Sequence, residues 1–213
     1  MTKKKILRDS IKKITNSSLK HISQKAGVKY VNKKVYEYIK ALLRLWLANV
    51  IRDAVVITEY YTKLTINEGC INAALSNLNE NRGWINPGKK IKACKIKSTK
   101  KSTKNSSKNS TKNSSKKKRK ISPGKKSLSA IRYYQRQSDC LLIPPTSFRR
   151  LVKEITQDFN VKLRYSPGSI ELLQFMAENY LLRLFEAGNL NAVNTESDTV
   201  EVKDIGLALR IIQ

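Results

Sequence analysis

Residues 32–61 read NKKVYEYIKALLRLWLANVIRDAVVITEYY, and this stretch decides the fold. Asn32 is a residue type that caps helix N-termini, and apolar residues then recur every three or four positions. This spacing predicts one long helix with a single buried stripe, made of Val35, Ile39, Leu42, Trp46, Val50, Ala54 and Ile57. Thirty helical residues span roughly 45 Å, which is long for so small a unit. The stripe therefore needs a partner.

Short helices are predicted on both sides of this long one. The first covers residues 17–25, with Asn16 or Ser17 as its cap and Gly27 just past its end. On the other side, Thr65-Ile-Asn-Glu68 has capping-box spacing and is expected to open a last short helix. The pattern is therefore short helix, loop, long helix, loop, short helix.

The same pattern occurs a second time near the other end of the chain. A lead-in helix is predicted over residues 128–138 and a short helix over 147–159. Ser166-Pro167 places a cap before a proline and opens a second long helix to about Asn194, and residues 202–212 close the pattern. The second stripe comprises Ile170, Leu173, Phe175, Met176, Tyr180, Leu181, Leu184 and Phe185. Two antiparallel long helices could bury each other's stripes.

A strongly basic stretch joins the two copies. Residues 89–126 contain 17 Lys and Arg and no Asp or Glu, in a chain of 213 residues with a net charge of +27. The rest of the chain also has more basic than acidic residues, so the excess is general. Low hydrophobicity with high like charge predicts a disordered linker. The overall charge favours nucleic acid as the partner, because phosphates release counterions when they bind Lys and Arg.

Several other classes of protein are disfavoured by the composition. There is no run of 18 apolar residues and no apolar signal segment at the N-terminus, so we expect neither a membrane partner nor secretion. Cys70, Cys94 and Cys140 are odd in number and lack metal-ligand spacing. His21 is the only histidine, which excludes a multi-histidine metal site, and no phosphate-cradling glycine loop occurs. We therefore predict no enzyme, metal or cofactor.

Particular runs of residues resemble the core histones. The first copy is similar to the type-four core histone at Ile6–Asp9, Ala26–Lys29 and above all Asn49–Val55. The second is similar to the type-three core histone, notably at Arg150–Ile155 and Leu184–Glu186. Type four fused ahead of type three resembles the histone doublets of giant DNA viruses of the marseillevirus group.

This resemblance implies an all-α fold of two histone folds. They would occupy residues 1–85 and 123–213, pair within the chain in a handshake, and be joined by the disordered basic linker 86–122. The implied function is DNA packaging, in which the doublet dimerises and joins a companion doublet of the other two histone types to wrap double-stranded DNA. The implied location is the virion and viral factory, with the nucleus as the alternative. A histone-fold regulatory protein that binds DNA or a partner complex without wrapping is the alternative function.

The resemblance also implies which residues touch DNA. The expected contacts are Lys20, His21, Lys29, Lys63, Thr65, Arg150, Lys153, Arg164 and Thr199, together with the linker cluster Lys116, Lys117, Lys118, Arg119 and Lys120. Arg164 matches a minor-groove arginine of the family. Tyr30 stands where the family has another minor-groove arginine, and the acidic stretch 196–198 replaces a basic stretch of the family. We therefore expect DNA to be bound more weakly at these two places.

The doublet-to-doublet contact is expected at the end of the second long helix and the last helix. Its residues would be Leu190, Asn191, Asn194, Asp204, Leu207, Arg210 and Ile211. Asn191 and Asn194 replace a cysteine and a histidine of the family. We therefore expect this contact to be weaker than in ordinary histones, with covalent fusion holding each pair of folds together.

Overall fold

A computed structural model of the chain describes residues 10–77, 92–93, 124–137 and 140–212. These residues are mostly helical. The α-helices are α1 (Asn16–Lys25), α2 (Lys33–Tyr60), α3 (Glu68–Asn77), α4 (Lys125–Gln135), α5 (Pro145–Phe159), α6 (Pro167–Asn194) and α7 (Val202–Ile212). A 3₁₀ helix at Ser10–Lys13 precedes α1. We call residues 10–77 the front half and residues 124–212 the back half.

The two halves repeat each other with a constant offset of 134 residues. The long helices α2 and α6 both have 28 residues and begin at Lys33 and Pro167. After each long helix a non-glycine residue adopts a left-handed conformation, at Thr62 and at Glu196, both with φ of 54°. Because the same backbone geometry returns at the same spacing, the halves are related by an internal repeat.

The described part of the chain is mostly helical, as expected, and it also contains six strands of two residues each that the sequence did not predict. They are β1 (Tyr30–Val31), β2 (Thr65–Ile66), β3 (Lys92–Ala93), β4 (Cys140–Leu141), β5 (Arg164–Tyr165) and β6 (Thr199–Val200). Pairing is parallel, β1 with β6, β2 with β5 and β3 with β4. The first two pairs join a loop of the front half to a loop of the back half at two separate places.

The core lies between the two halves and is built from both predicted stripes. In α2 every stripe residue is buried except Ile57, which is partly buried. In α6 only Phe175 and Tyr180 of the predicted stripe stay partly exposed. The α2 helix packs against α5, α6 and α7, and Trp46 stacks on Tyr180 with ring centroids 5.1 Å apart. Each half therefore covers apolar surface that the other would leave in water.

A buried carboxylate also links the halves. Glu154 of α5 accepts a hydrogen bond from the Ser10 backbone N–H at 2.6 Å and from Arg44 of α2 at 3.0 Å. Burial acts to raise the pKa of Glu154, but the hydrogen bonds from Ser10 and Arg44 outweigh it and lower the pKa. The carboxylate is therefore charged and paired at neutral pH, which costs less than a lone buried charge.

Helix starts differ from the predictions in several places. The cap of α1 is Thr15, whose hydroxyl accepts from the Ser18 N–H, rather than Asn16 or Ser17. Thr65 lies in β2 and does not cap α3, since the Asn67 carbonyl accepts the first helical bonds. The start of α5 is two residues earlier than predicted, at Pro145. The Asn32 and Ser166 caps are confirmed by their hydrogen bonds to Lys34 and Ser169.

Candidate nucleic-acid interface

The pairing of β2 with β5 brings together three residues predicted to touch DNA. Thr65 is the register partner of Arg164, and the Arg164 N–H donates to the Leu64 carbonyl at 3.0 Å. Arg164 and Lys63 are both exposed, and the Lys63 amine lies 5.4 Å from the centre of the Tyr61 ring. Residues 62–66 and 160–165, here named the first loop pair, therefore present cations on a frame fixed by backbone hydrogen bonds.

A basic face on α5 extends this surface. Arg149, Lys153 and Arg164 line an open depression of about 700 Å³. Arg150 and Lys153, both predicted contacts, are exposed on the same helix. Arg149 was not among the predicted contacts; its position next to Arg150 was the only signal for it. Three cations around one concave surface give a site that attracts phosphate oxygens.

The pairing of β1 with β6 forms a second loop pair of different character, residues 28–32 with 196–200. Tyr30 is the register partner of Thr199. The Lys29 amine donates to the Asp198 carboxylate at 2.7 Å, and this hydrogen bond together with the charge of Asp198 raises the pKa of Lys29. Lys29 thus faces an acid of its own chain, which the sequence did not predict.

The α1 helix packs on α4 and carries two further predicted contacts. Lys20 is exposed, whereas the half-buried His21 ring stacks on Tyr134 with centroids 4.7 Å apart. Burial, followed by repulsion from Lys20, lowers the pKa of His21, so its imidazole is neutral at pH 7. His21 can therefore offer DNA a polar contact but no charge.

From the sequence alone, no role is assigned to the basic residues of α4 or to its C-cap, Arg136. Lys125, Arg132 and Arg136 line an open depression of about 730 Å³ together with Tyr133. Arg132 and Arg136 are four residues apart, which places them on one helix face. The spacing was a signal for this surface, but the sequence predicts this segment only as a lead-in helix over residues 128–138, with no role in binding. The predicted linker cluster Lys116–Lys120 lies outside the described residues.

Apolar side chains are exposed where α6 ends and α7 runs beside it. Leu190 is 65% exposed, Leu207 49% and Ile211 67%, and Val193, which was not predicted, joins them at 60%. Among the polar residues predicted here, Asn194 and Arg210 are both exposed. We name Leu190, Val193, Leu207 and Ile211 the α6–α7 patch.

Two predicted interface residues face inward instead of outward. The Asn191 amide donates to the Asp204 carbonyl at 2.9 Å, and both residues are buried. The Asp204 carboxylate accepts from the Glu201 N–H at 2.8 Å at the start of α7. They fix α7 against α6 and so support the patch from beneath.

A similar apolar surface occurs in the front half, where α2 ends beside α3. Val56, Tyr60 and Tyr61 are 61%, 81% and 57% exposed. They line an open depression of about 650 Å³ between the end of α2 and α3, and the buried Cys70 forms part of its wall. We name it the α2–α3 patch.

Two other kinds of site are absent from the described ranges. No group of three or more His, Cys, Asp or Glu side chains there could hold a metal ion. None of the helices described is both long and apolar enough to cross a bilayer.

Comparison with known families finds a match for the back half. Residues 123–211 match the family model of the core histone domain, a single model that covers all four core histone types. That family is structural rather than enzymatic, and its fold is associated with DNA binding and histone dimerisation. The part of the chain from α4 to α7 therefore matches a core histone domain, the fold of a family associated with DNA packaging and chromatin.

Proposed function

We propose that this chain is a fused histone doublet that packages DNA. Residues 1–85 and 123–213 form two histone folds that pair within the chain in a handshake, and the linker 86–122 adds a polycation. Doublets associate with each other and with a companion doublet of the other two histone types. The resulting particle wraps double-stranded DNA without reading its sequence.

The internal repeat is the observation that carries this proposal. The back half matches the core histone domain, and the front half has the same long helix, left-handed residue and strand 134 residues earlier. A partner of the same architecture, cross-paired through β1–β6 and β2–β5, is the arrangement that buries both apolar stripes.

Charge and shape support DNA as the ligand. The first loop pair and the α5 face hold Lys63, Arg149, Lys153 and Arg164 on backbone fixed by two strands and a helix. Basic side chains on such a fixed backbone can contact phosphates and enter a minor groove that faces the protein. They bind DNA in this way without contacting base edges. Affinity should accordingly fall steeply as salt rises.

The two apolar patches support assembly. We assign the α6–α7 patch to a second copy and the α2–α3 patch to the companion doublet, because each half leaves one end of its long helix uncovered. Exposed apolar clusters of this kind mark interaction surfaces. From the resemblance to giant-virus doublets we propose the virion and viral factory as the location, with the nucleus as the alternative.

A topology assay tests the proposed function. Relaxed closed-circular plasmid is incubated with the doublet and its companion in the presence of topoisomerase and then deproteinised. Wrapping leaves constrained supercoils, and micrococcal nuclease then yields a protected fragment of fixed length. If the plasmid shifts in a gel but shows no supercoils and digests to a smear, the protein binds without wrapping, as the regulatory alternative requires.

Arg164→Ala tests whether the first loop pair binds DNA. Removing one phosphate-side cation should make the salt dependence of DNA binding shallower by about 0.9 in log–log slope. Arg183→Ala is the matched control, because this exposed arginine lies near the middle of α6, roughly 24 Å along the helix from Pro167. Equal effects of the two substitutions would contradict the assignment of the first loop pair.

A further inference from the structure

The internal repeat allows the two loop pairs to be compared position by position. Arg164 of the first loop pair corresponds to Tyr30 of the second, since each begins the strand before its long helix. After the long helices, Lys63 corresponds to Ser197 and Leu64 to Asp198, because β2 and β6 are also 134 residues apart. Thus the same backbone frame carries two cations in one pair, where the other has an aromatic ring and a hydroxyl.

The second loop pair holds its own counter-charge. The Lys29–Asp198 distance is 2.7 Å, and both side chains reach solvent, with exposed fractions of 45% and 67%. Glu196, two residues before Asp198, is exposed. Glu201, three residues after Asp198, forms an ion pair with Lys203, with 3.3 Å between the carboxylate oxygen and the amine. Three acids therefore lie within six residues of one another in this loop, and their charges oppose the approach of a phosphate.

A phosphate that approaches Lys29 therefore competes with Asp198 for its amine. The raised pKa of Lys29 is consistent with an amine that already has a strong acceptor. Backbone pairing of Tyr30 with Thr199 holds the neighbouring Lys29 and Asp198 side chains within reach of each other.

We propose, on the basis of the proposed DNA-packaging function, that Asp198 holds Lys29 away from phosphate, so that the second loop pair is a closed and releasable DNA contact while the first loop pair grips. DNA lying over the second loop pair is then held loosely. The ion pair between Lys29 and Asp198 closes this contact, and removing the charge of the Asp198 carboxylate opens it.

Lysine acetylation in the full-length chain, read by mass spectrometry with and without a duplex DNA of mixed sequence, tests this directly. In the unaltered chain DNA should protect Lys63 from acetylation and leave Lys29 unchanged. In Asp198→Asn, which keeps the side-chain shape, DNA should protect both lysines, and the salt slope of DNA binding should steepen by about 0.9. Glu196→Gln is the matched control, because it removes an equal charge from the same loop but leaves the ion pair intact.

The outcomes separate the inference from the function on which it rests. Protection of Lys29 by DNA in the unaltered chain, or its absence in Asp198→Asn while Lys63 is protected, overturns the inference alone. Equal gains in Lys29 protection for Asp198→Asn and Glu196→Gln also overturn it, since the effect would be general charge. Failure of DNA to protect Lys63 in any chain, with no salt-dependent binding, contradicts the proposed DNA-binding function itself.

Discussion

At the scale of single residues, the contact between Trp46 and Tyr180 reports on the union of the two halves. The rings are stacked at 5.1 Å and 14° between planes, one on each long helix. Trp46 is buried and Tyr180 is partly buried. An aromatic pair of this kind adds stability beyond the area it buries.

A double-mutant cycle measures this pair. In chemical denaturation, the destabilisation by Trp46→Ala and Tyr180→Ala together should be smaller than the sum of their separate effects by about 0.5–1.5 kcal/mol. Either substitution alone already removes the contact between the rings, so the second removes nothing more of it. Trp46→Ala with Tyr60→Ala is the control and should be additive, since Tyr60 is 81% exposed and about 21 Å along α2 from Trp46. Additivity of the first pair would mean that the rings do not meet in solution.

Residue roles were only partly accessible from the sequence. Arg164 and Thr65 were predicted separately, and the structure pairs them although they are far apart in the chain. The Lys29–Asp198 pair could not be foreseen, because each residue was judged alone and their approach depends on strands of two residues. Periodicity does not report contacts between distant loops.

At the scale of elements, α6 and α7 approach each other closely at Gly188. A Cβ at this position would lie 2.5 Å from the Cδ1 of Ile205, which is fully buried, so the Ile205 side chain would have to shift within the core. A Cβ added to Gly206 on α7 would meet no atom within 4 Å. Packing therefore disfavours a side chain at Gly188 and leaves room for one at Gly206.

Substitution by alanine separates the two glycines. Gly188→Ala should lower the free energy of unfolding by about 1–2 kcal/mol through overpacking. Gly206→Ala should raise it by up to about 1 kcal/mol, because alanine favours helix more than glycine does. Urea denaturation of both variants is the measurement; a stabilised Gly188→Ala would show that the helices are further apart than described.

The α6–α7 patch makes a second prediction at this scale. Leu207→Glu should weaken self-association of the DNA-free doublet at least about tenfold, roughly 1.4 kcal/mol, by placing a charge in an apolar contact. Val56→Glu on the α2–α3 patch should leave self-association unchanged. Sedimentation of the two variants compares them, and equal weakening by both would show that the patches are wrongly assigned.

Helices were largely predictable and strands were not. Both long helices follow from stripes and from the Asn32 and Ser166 caps, and their ends lie within a residue of the prediction. The α1 cap was misplaced because Thr15, Asn16 and Ser17 are all residue types that cap helices. Thr65 was interpreted as a cap because two-residue strands leave no periodic signal, and its partner strand lies in the other half.

At the scale of the whole molecule, the described residues form one helical unit with a continuous core made by two halves. Each half depends on the other to cover its long helix. The buried cluster includes Ile39 and Leu47 from the front half and Phe148 and Leu184 from the back half. Residues 123–211, which match the core histone domain, thus supply one side of this core, and the front half supplies the other.

Cutting the linker is the most direct test of this pairing. A specific protease site inserted between Asn105 and Ser106 allows the chain to be cleaved after folding without touching any described residue. If the halves clasp each other, the two fragments stay together as a one-to-one complex in sedimentation at micromolar concentration and unfold in one transition. Fragments that separate while each keeps its helical content would contradict the account.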